Sequence, residues 1–139
     1  MSELSFIVVD DHMLMRKTLS QYLRELGYDK IDVAINGKDA LEKIGAKLII
    51  GTPYDIAFLD MNMPVMDGME LLRICRNNKA LDKTAMVMLT GECERQKVIE
   101  AMKAGVTSYI IKPISKNVLA EKMTNILKWL EEKRGVANG

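Results

Sequence analysis

The sequence predicts an α/β fold in which a doubly wound parallel sheet is covered by helices on both faces. Five short apolar segments, several of them rich in β-branched residues, each precede a longer segment whose apolar residues recur at helical spacing. Strands that are apolar on both faces and alternate with helices are typical of a buried parallel sheet. The length of 139 residues suits one domain with a sizeable core. We therefore expect five strands and five helices in one unit.

The first two units occupy the N-terminal third of the chain. The apolar segment 4–9 predicts a first strand, and helical spacing over 13–26 predicts the helix after it, which a glycine ends. Alternation over 31–35 predicts a second strand, closed by Asn36-Gly37. A second helix begins at about residue 38, and its end before the Gly-Thr-Pro segment 51–53 stays open.

The other three units repeat this plan. The predicted strands are 56–59, 85–89 and 109–111, and the predicted helices follow Gly68, cover 98–102 and begin near 115 or 116. Asp67-Gly68 is expected to be a plain turn without a chemical role. Cys75 is expected to pack as a small apolar residue, and Cys93 to lie on an accessible loop.

Charge and composition exclude several functions. Lysine and arginine total 20 against 19 acidic residues, so the chain has no global basic footprint for nucleic acid or an anionic membrane. No apolar run approaches the roughly 18 residues that a membrane span needs, and the polar start is unlike a secretory signal. We expect a cytoplasmic protein without membrane insertion or direct nucleic-acid binding. Two cysteines are too few for a disulfide framework or a four-ligand zinc site.

Four predicted strands end in an ionisable or hydroxyl-bearing residue. These residues are Asp10-Asp11, Asp60, Thr90 and Lys112, after the first, third, fourth and fifth strands. In parallel sheets, ligands bind outside the carboxyl ends of the strands. If the first and third strands are neighbours, their carboxylates crowd together, and two charges about 4 Å apart repel by roughly 4 kcal/mol at an effective dielectric near 20. Such a cluster would protonate, splay apart or hold a cation, and an acidic all-oxygen site suits Mg²⁺ or its substitute Mn²⁺.

A cation on carboxylates, faced by a lysine and a hydroxyl, is suited to phosphoryl transfer. The cation and lysine offset charge on the phosphoryl oxygens, and the hydroxyl donates to one of them. A carboxylate can itself be the nucleophile and form an acyl phosphate. Asp60 is the best-placed candidate, because its strand is central in this arrangement.

These residues resemble those of a known family, the receiver domain of two-component response regulators. The resemblance extends over residues 4–130 and is carried by the segment 60–68 (DMNMPVMDG), together with Asp10-Asp11, Thr90 and Lys112-Pro113. It implies a flavodoxin-like sheet of strand order 2-1-3-4-5, with a receiver domain over residues 1–133 and a flexible tail over 134–139. Asn62, Glu92 and Tyr109 resemble the CheY-like, single-domain regulators, and chemotaxis is the pathway this implies.

The resemblance also implies a role for each site residue. Asp60 would accept a phosphoryl group from a phosphohistidine on a sensor histidine kinase or a histidine phosphotransfer protein. Mg²⁺ would be held by Asp10, Asp11, Asp60 and the backbone carbonyl of Asn62. The phosphoryl group would be contacted by Thr90 and Lys112. The Lys112-Pro113 peptide bond would be cis, which proline makes accessible. The chain would be a signalling protein, catalysing only its own phosphorylation and dephosphorylation.

A switch mechanism follows as a hypothesis. Phosphate on Asp60 draws in Thr90 and Lys112, the loop after the fourth strand moves, and Tyr109 follows. The face built from the fourth helix, fifth strand and fifth helix then changes its binding preference. Its candidate positions are Val98, Met102, Tyr109, Ile111 and Lys122. Since the chain ends after the fifth helix, output is expected to act through a protein partner.

Other interpretations stay open at this point. Asp10-Asp11 alone could cap the first helix, and His12 is expected to be an exposed residue of that helix's first turn. A haloacid-dehalogenase-type phosphatase also uses a strand-end aspartate and Mg²⁺, but it needs a second aspartate where this chain has Asn62. An unphosphorylated adaptor with the receiver fold and a receiver cut from a longer hybrid protein are further alternatives. Methionines are expected as core filling at Met86, Met88 and Met123, and as core or partner surface at Met61, Met63 and Met66.

Overall fold

Strands and helices alternate along the whole described chain, which comprises residues 3–91 and 95–135 of a computed structural model. The strands are β1 (Ser5–Val9), β2 (Lys30–Ala34), β3 (Ile56–Asp60), β4 (Ala85–Thr90) and β5 (Ser108–Ile111). The helices are α1 (Met13–Glu25), α2 (Gly37–Ile49), α3 (Gly68–Arg76), α4 (Arg95–Lys103) and α5 (Lys116–Arg134), with a 3₁₀ turn at Lys79–Leu81. The predicted α/β class is confirmed, and the open end of the second helix lies at Ile49.

The five strands form one parallel sheet in the order β2-β1-β3-β4-β5, which confirms the order implied by the resemblance. Val9 at the end of β1 lies opposite Leu59 of β3, and Leu59 lies opposite Met88 of β4. The chain therefore leaves β1, β3 and β4 at adjacent points along one edge of the sheet. Residues that follow these strands are brought together by the pairing itself.

Each face of the sheet has its own apolar core. Ile7 and Val9 pack with residues of α2, α3 and α4 on one face, whereas Phe6 and Val8 pack with residues of α1 and α5 on the other. All residues of β3 and β4 are buried, because helices cover both faces. The sheet interior is thus a rigid support, since closely packed cores tolerate little displacement.

Side-chain caps fix where several helices begin. Asn36 accepts a hydrogen bond from the backbone of Asp39 at the start of α2, and Ser115 accepts one from Val118 at the start of α5. The expectation of a plain turn at Asp67-Gly68 is wrong for Asp67. Its carboxylate and that of Glu70 form a reciprocal capping box at the start of α3, which is a helix signal and not a turn signal.

The C-terminal boundary differs from the prediction by one residue. Arg134, assigned to the tail, is the last residue of α5, because its guanidinium bonds to the Asp55 carboxylate at 2.8 Å and to the backbone carbonyl of Lys83 at 3.1 Å. Gly135 then ends the helix with a φ of 65°, a value that favours glycine. The rest of the predicted tail, and Glu92 and Cys93, lie outside the described residues.

Arg76 connects several elements at the amino end of β5. Its guanidinium donates to the carbonyls of Gly105 and Leu81 and to the hydroxyl of Thr107. It also stands 5.8 Å from the ring centre of Trp129, the single tryptophan of the chain. Gly105 and Thr107 precede β5, so this cluster lies at the opposite end of the sheet from the carboxyl ends of the strands.

The remaining sequence expectations concern methionines, cysteine and membrane insertion. Met86, Met88 and Met123 are buried in the cores, as predicted, and Cys75 on the buried side of α3 packs among apolar residues. Burial raises the pKa of the Cys75 thiol to about 11. Within residues 3–91 and 95–135, no helix combines the length and apolar character that a membrane crossing requires.

Candidate functional site

The strand ends bring the predicted site residues to one place. Asp10 directly follows β1, Asp60 ends β3, Thr90 ends β4 and Lys112 directly follows β5. The register of the strand pairing places these residues side by side, because Asp60 pairs with Leu89 and Thr90 pairs with Ile111. The backbone N–H of Lys112 donates to the carbonyl of Thr90 at 2.8 Å, which extends the pairing by one residue.

Carboxylates form the centre of the site. Asp10 and Asp60 are essentially excluded from solvent, and Asp11 is half-buried beside them. Asp10, Asp11, His12 and Asp60 can each offer one ligand atom, and these four atoms all lie within 4.8 Å of one another. Burial of two carboxylates on neighbouring strands is costly unless a positive charge compensates them.

Lys112 supplies one such charge. Its ammonium lies 2.8 Å from Asp60 Oδ1 and 3.6 Å from Asp10 Oδ2. Burial alone lowers the pKa of Lys112, but the hydrogen bond to Asp60 and the negative charges of Asp60 and Asp10 outweigh it, so the net pKa is raised. The lysine therefore remains protonated at neutral pH, with a charged donor in the pocket.

One lysine does not fully compensate the carboxylates. Burial raises the pKa of Asp60, the nearby Asp10 charge raises it further, and the hydrogen bond from Lys112 only partly opposes these effects. The ionised form of Asp60 is thus disfavoured in the folded chain relative to water. A site with this imbalance is poised to take up further positive charge.

Unpartnered oxygens show that the residues fit a divalent cation. Asp10 Oδ2, Asp11 Oδ1 and Asp60 Oδ2 are inaccessible to solvent and have no hydrogen-bond partner among the described residues. A buried oxygen without a partner costs roughly 1–3 kcal/mol, and more when charged. A cation bound by oxygen ligands would satisfy all three at once.

The capping alternative for Asp10-Asp11 is not what the structure shows. The residue that precedes α1 is His12, and its side chain makes no capping hydrogen bond to the helix. Asp10 instead accepts from the His12 backbone N–H at 2.9 Å, which orients its carboxylate into the pocket. Arg16 donates to the backbone carbonyl of Asp10 at 2.8 Å and holds this segment from α1.

The loop after Asp60 passes very close to the site. Gly68 lies against the backbone of Asp60 and Met61, where a Cβ would overlap the Asp60 carbonyl oxygen and lie 2.9 Å from Met61 Cα. Sequence reasoning missed this role of Gly68, although its place in the segment 60–68 was a usable signal. Asn62 is exposed beside this loop, next to the acidic pocket.

The methionines of this loop belong to the core. Met61 and Met63 are buried and pack with the α2–α3 face of the sheet, so the partner-surface alternative is wrong for them. Met66 is half-buried and packs over Gly37 at the start of α2, where a Cβ would lie 2.7 Å from its sulfur. These contacts connect the loop to α2.

The predicted output positions lie on α4, β5 and α5. Tyr109 of β5 is half-buried, and the Lys122 ammonium of α5 stands 4.9 Å from its ring centre, a cation–π distance. Met102 of α4 is 63% exposed, and Ile111 is partly exposed on β5. Val98 is half-buried on α4. The Lys112-Pro113 peptide bond is cis, as the resemblance implies.

Comparison with known proteins assigns the class. Residues 6–124 match the response regulator receiver domain, and the chain belongs to this family. It is a signalling domain of two-component systems, which decides against the phosphatase class.

The relatives point to one branch of that family. The chain is 34% identical over 125 residues to the chemotaxis protein CheY of Pseudomonas aeruginosa, covering 90% of this chain and 97% of the relative. It is 35% identical over 124 residues to the chemotaxis protein CheY1 of Helicobacter pylori, covering 89% and 97%. Among solved structures, chemotaxis protein CheY4 of Vibrio cholerae superposes with a TM-score of 0.79 at 28% identity, covering 88% of this chain and 98% of that one.

The close approach of Gly68 generates the first prediction. Gly68→Ala forces a Cβ into the Asp60 backbone, so we expect a loss of roughly 1–3 kcal/mol in the free energy of unfolding, together with a displaced Asp60. Gly45→Ala is the matched control, because nothing lies within 4 Å of a Cβ there and alanine in a helix gains about 0.5–1 kcal/mol. Urea denaturation measures both, and a neutral Gly68→Ala would contradict the packing described.

The raised pKa of Asp60 generates a second prediction. Its folded-state pKa lies above the ordinary value of 3.8, so ionisation costs the folded state stability as pH rises through that range. Without divalent cations, Asp60→Asn is expected to be more stable than wild type at pH 7 and to match it below pH 3.8, where both folded and unfolded chains carry a protonated Asp60.

Urea denaturation at pH 3 and pH 7 checks this expectation. Asp67→Asn is the control, because this carboxylate is exposed on the same loop and asparagine is an equal helix cap. We expect Asp67→Asn to follow wild type at both pH values. Equal stability of Asp60→Asn and wild type at pH 7 would show that Lys112 compensates Asp60 completely.

Proposed function

We propose that this chain is a phosphorylation-dependent switch whose acceptor is Asp60. The observation that carries this proposal is the state of that carboxylate: buried, bonded to Lys112 through one oxygen, unpartnered at the other and next to two further acidic residues. This is the arrangement of a nucleophile beside a cation site. Family membership supports the same assignment.

The proposed reaction is transfer from a phosphohistidine. A carboxylate oxygen of Asp60 attacks phosphorus, the P–N bond breaks, and the imidazole nitrogen leaves with the bonding electrons and takes up a proton. The signal would end by hydrolysis, in which water attacks the acyl phosphate, inorganic phosphate leaves and the Asp60 carboxylate is restored. The donor would be a sensor histidine kinase or a histidine phosphotransfer protein.

The other site residues would stabilise the charge that develops. Asp10, Asp11 and Asp60, with the backbone carbonyl of Asn62, would hold Mg²⁺, or Mn²⁺ as a substitute. The cation supplies positive charge for the phosphoryl oxygens when it is bound. Lys112 already has its ammonium 2.8 Å from Asp60 Oδ1, so a small movement would bring it to a phosphoryl oxygen. Thr90, buried at the end of β4, would donate its hydroxyl to another.

Output would act through a protein partner at the face of α4, β5 and α5. Movement of Thr90 would be transmitted along β4 and β5 to Tyr109, whose ring is held between the core and Lys122. Met102 and Ile111 offer exposed apolar area on the same side. The named chemotaxis relatives support a target in chemotaxis.

Acceptor identity is tested by phosphorylation with acetyl phosphate. With Mg²⁺ present, wild type is expected to shift on a phosphate-retarding gel, and Asp60→Asn is not, because it lacks the nucleophile. Asp67→Asn should shift like wild type, and chelation of the cation should abolish the shift. Equal labelling of wild type and Asp60→Asn would refute the assignment. No labelling of wild type by acetyl phosphate or by a cognate kinase would favour the unphosphorylated adaptor.

The proposed output face is tested by NMR of methionine methyl groups. Addition of Mg²⁺ and acetyl phosphate is expected to shift the Met102 resonance in wild type, because α4 would move when Thr90 does. In Asp60→Asn the same additions should leave this resonance in place. An unshifted Met102 in a wild-type sample that the gel shows to be phosphorylated would exclude α4 from the switch.

A further inference from the structure

The single histidine of the chain lies at the mouth of the acidic pocket. His12 Nδ1 is 3.2 Å from Asp10 Oδ1 and 3.2 Å from Asp11 Oδ1. Helix capping does not account for this position, because the ring makes no hydrogen bond to α1. No second histidine or cysteine lies near His12 in the sequence, and the neighbours of its ring are carboxylates.

The pocket beside the ring contains other carboxylate oxygens that lack hydrogen-bond partners. Asp10 Oδ2 and Asp60 Oδ2 belong to residues that are essentially fully buried, and neither oxygen has a hydrogen-bond partner among the described residues. Such atoms indicate a cation in the pocket. A nitrogen within 4.8 Å of the carboxylate ligand atoms changes which cation the pocket favours. Imidazole suits zinc, nickel and similar borderline ions, whereas Mg²⁺ prefers oxygen ligands.

We propose that His12 is a metal ligand through Nδ1 and that it makes this pocket selective for borderline transition cations. The inference rests on the cation site of the proposed function and adds the residue that sets its specificity. The backbone of His12 is held by its bond to Asp10 Oδ1, while its side chain is 69% exposed. The ring can therefore adjust toward a cation without disturbing the core. When it binds, the cation replaces the carboxylates as the neighbour of Nδ1.

Selectivity is tested by calorimetric titration of the untagged chain with Co²⁺ and with Mg²⁺. His12→Ser is the variant, because serine is a good residue at a helix N-terminus. Loss of a nitrogen ligand is expected to weaken Co²⁺ binding by about tenfold or more and to leave Mg²⁺ binding within about twofold. Equal Co²⁺ affinities would overturn the proposal, and so would an equal loss for both ions, which indicates a structural effect of His12.

Coordination by the ring is tested directly by NMR with ¹⁵N-labelled histidine. Because the chain has one histidine, every ring-nitrogen resonance belongs to His12. Zn²⁺ is expected to shift the Nδ1 resonance in wild type, and Mg²⁺ is not. Asp60→Asn is the control for binding in the pocket, since a lone surface imidazole would bind Zn²⁺ equally well in this variant. Ring nitrogens that do not respond to saturating Zn²⁺, or respond equally in Asp60→Asn, would overturn the proposal.

Failure of this inference is distinguishable from failure of the proposed function. The acceptor proposal is tested by labelling of wild type with acetyl phosphate and Mg²⁺, whereas the selectivity proposal is tested by the response of the His12 ring to Zn²⁺. If wild type labels with Mg²⁺ but His12 does not coordinate, only the selectivity proposal is wrong. If wild type does not label under any condition, the acceptor proposal is wrong whatever the titrations show.

Discussion

The structure depends on two buried carboxylates held side by side at the edge of an apolar sheet. Asp10 and Asp60 follow neighbouring strands, and both are removed from solvent. Lys112 reaches them from β5, but the pKa of Asp60 remains above its ordinary value, so the compensation is partial. The folded chain thus keeps an unfavourable local charge that a bound cation or protonation of a carboxylate would relieve. Retained electrostatic strain of this kind is characteristic of functional sites.

The surroundings of the carboxylates divide into fixed and adjustable parts. β3 and β4 are packed on both faces, so Asp60 and Thr90 lie on backbone that has little freedom. Tyr109 and the exposed residues of α4 lie nearer the surface, where rearrangement costs less packing. In the proposed switch, a charge change at Asp60 would therefore be expressed in these outer elements. This division is the physical basis for proposing that a small site controls a separate binding face.

Much of this architecture could be predicted from the sequence because it follows from periodicity. Uninterrupted apolar strands imply a covered sheet, and parallel strands bring their final residues to one edge. Details that depend on side-chain direction and loop path could not be predicted. One example is Lys112, whose ammonium lies closer to Asp60 than to Asp10. The contact of Gly68 with the Asp60 backbone and the position of the His12 ring are others.

Trp129 has a consequence for spectroscopy. The centre of its ring lies 5.8 Å from the Arg76 guanidinium and 5.8 Å from the Lys133 ammonium, at the end of the sheet remote from the acidic pocket. As the chain has one tryptophan, intrinsic fluorescence excited above the tyrosine band reports on that remote end alone. The fluorescence of Trp129 is expected to change when the contact between α3 and α5 is lost. A paramagnetic or coloured ion in the acidic pocket does not touch the indole, so it cannot quench the fluorescence by direct contact. Trp129 thus reports the unfolding of the protein from a position that is separate from the pocket where a ligand would bind.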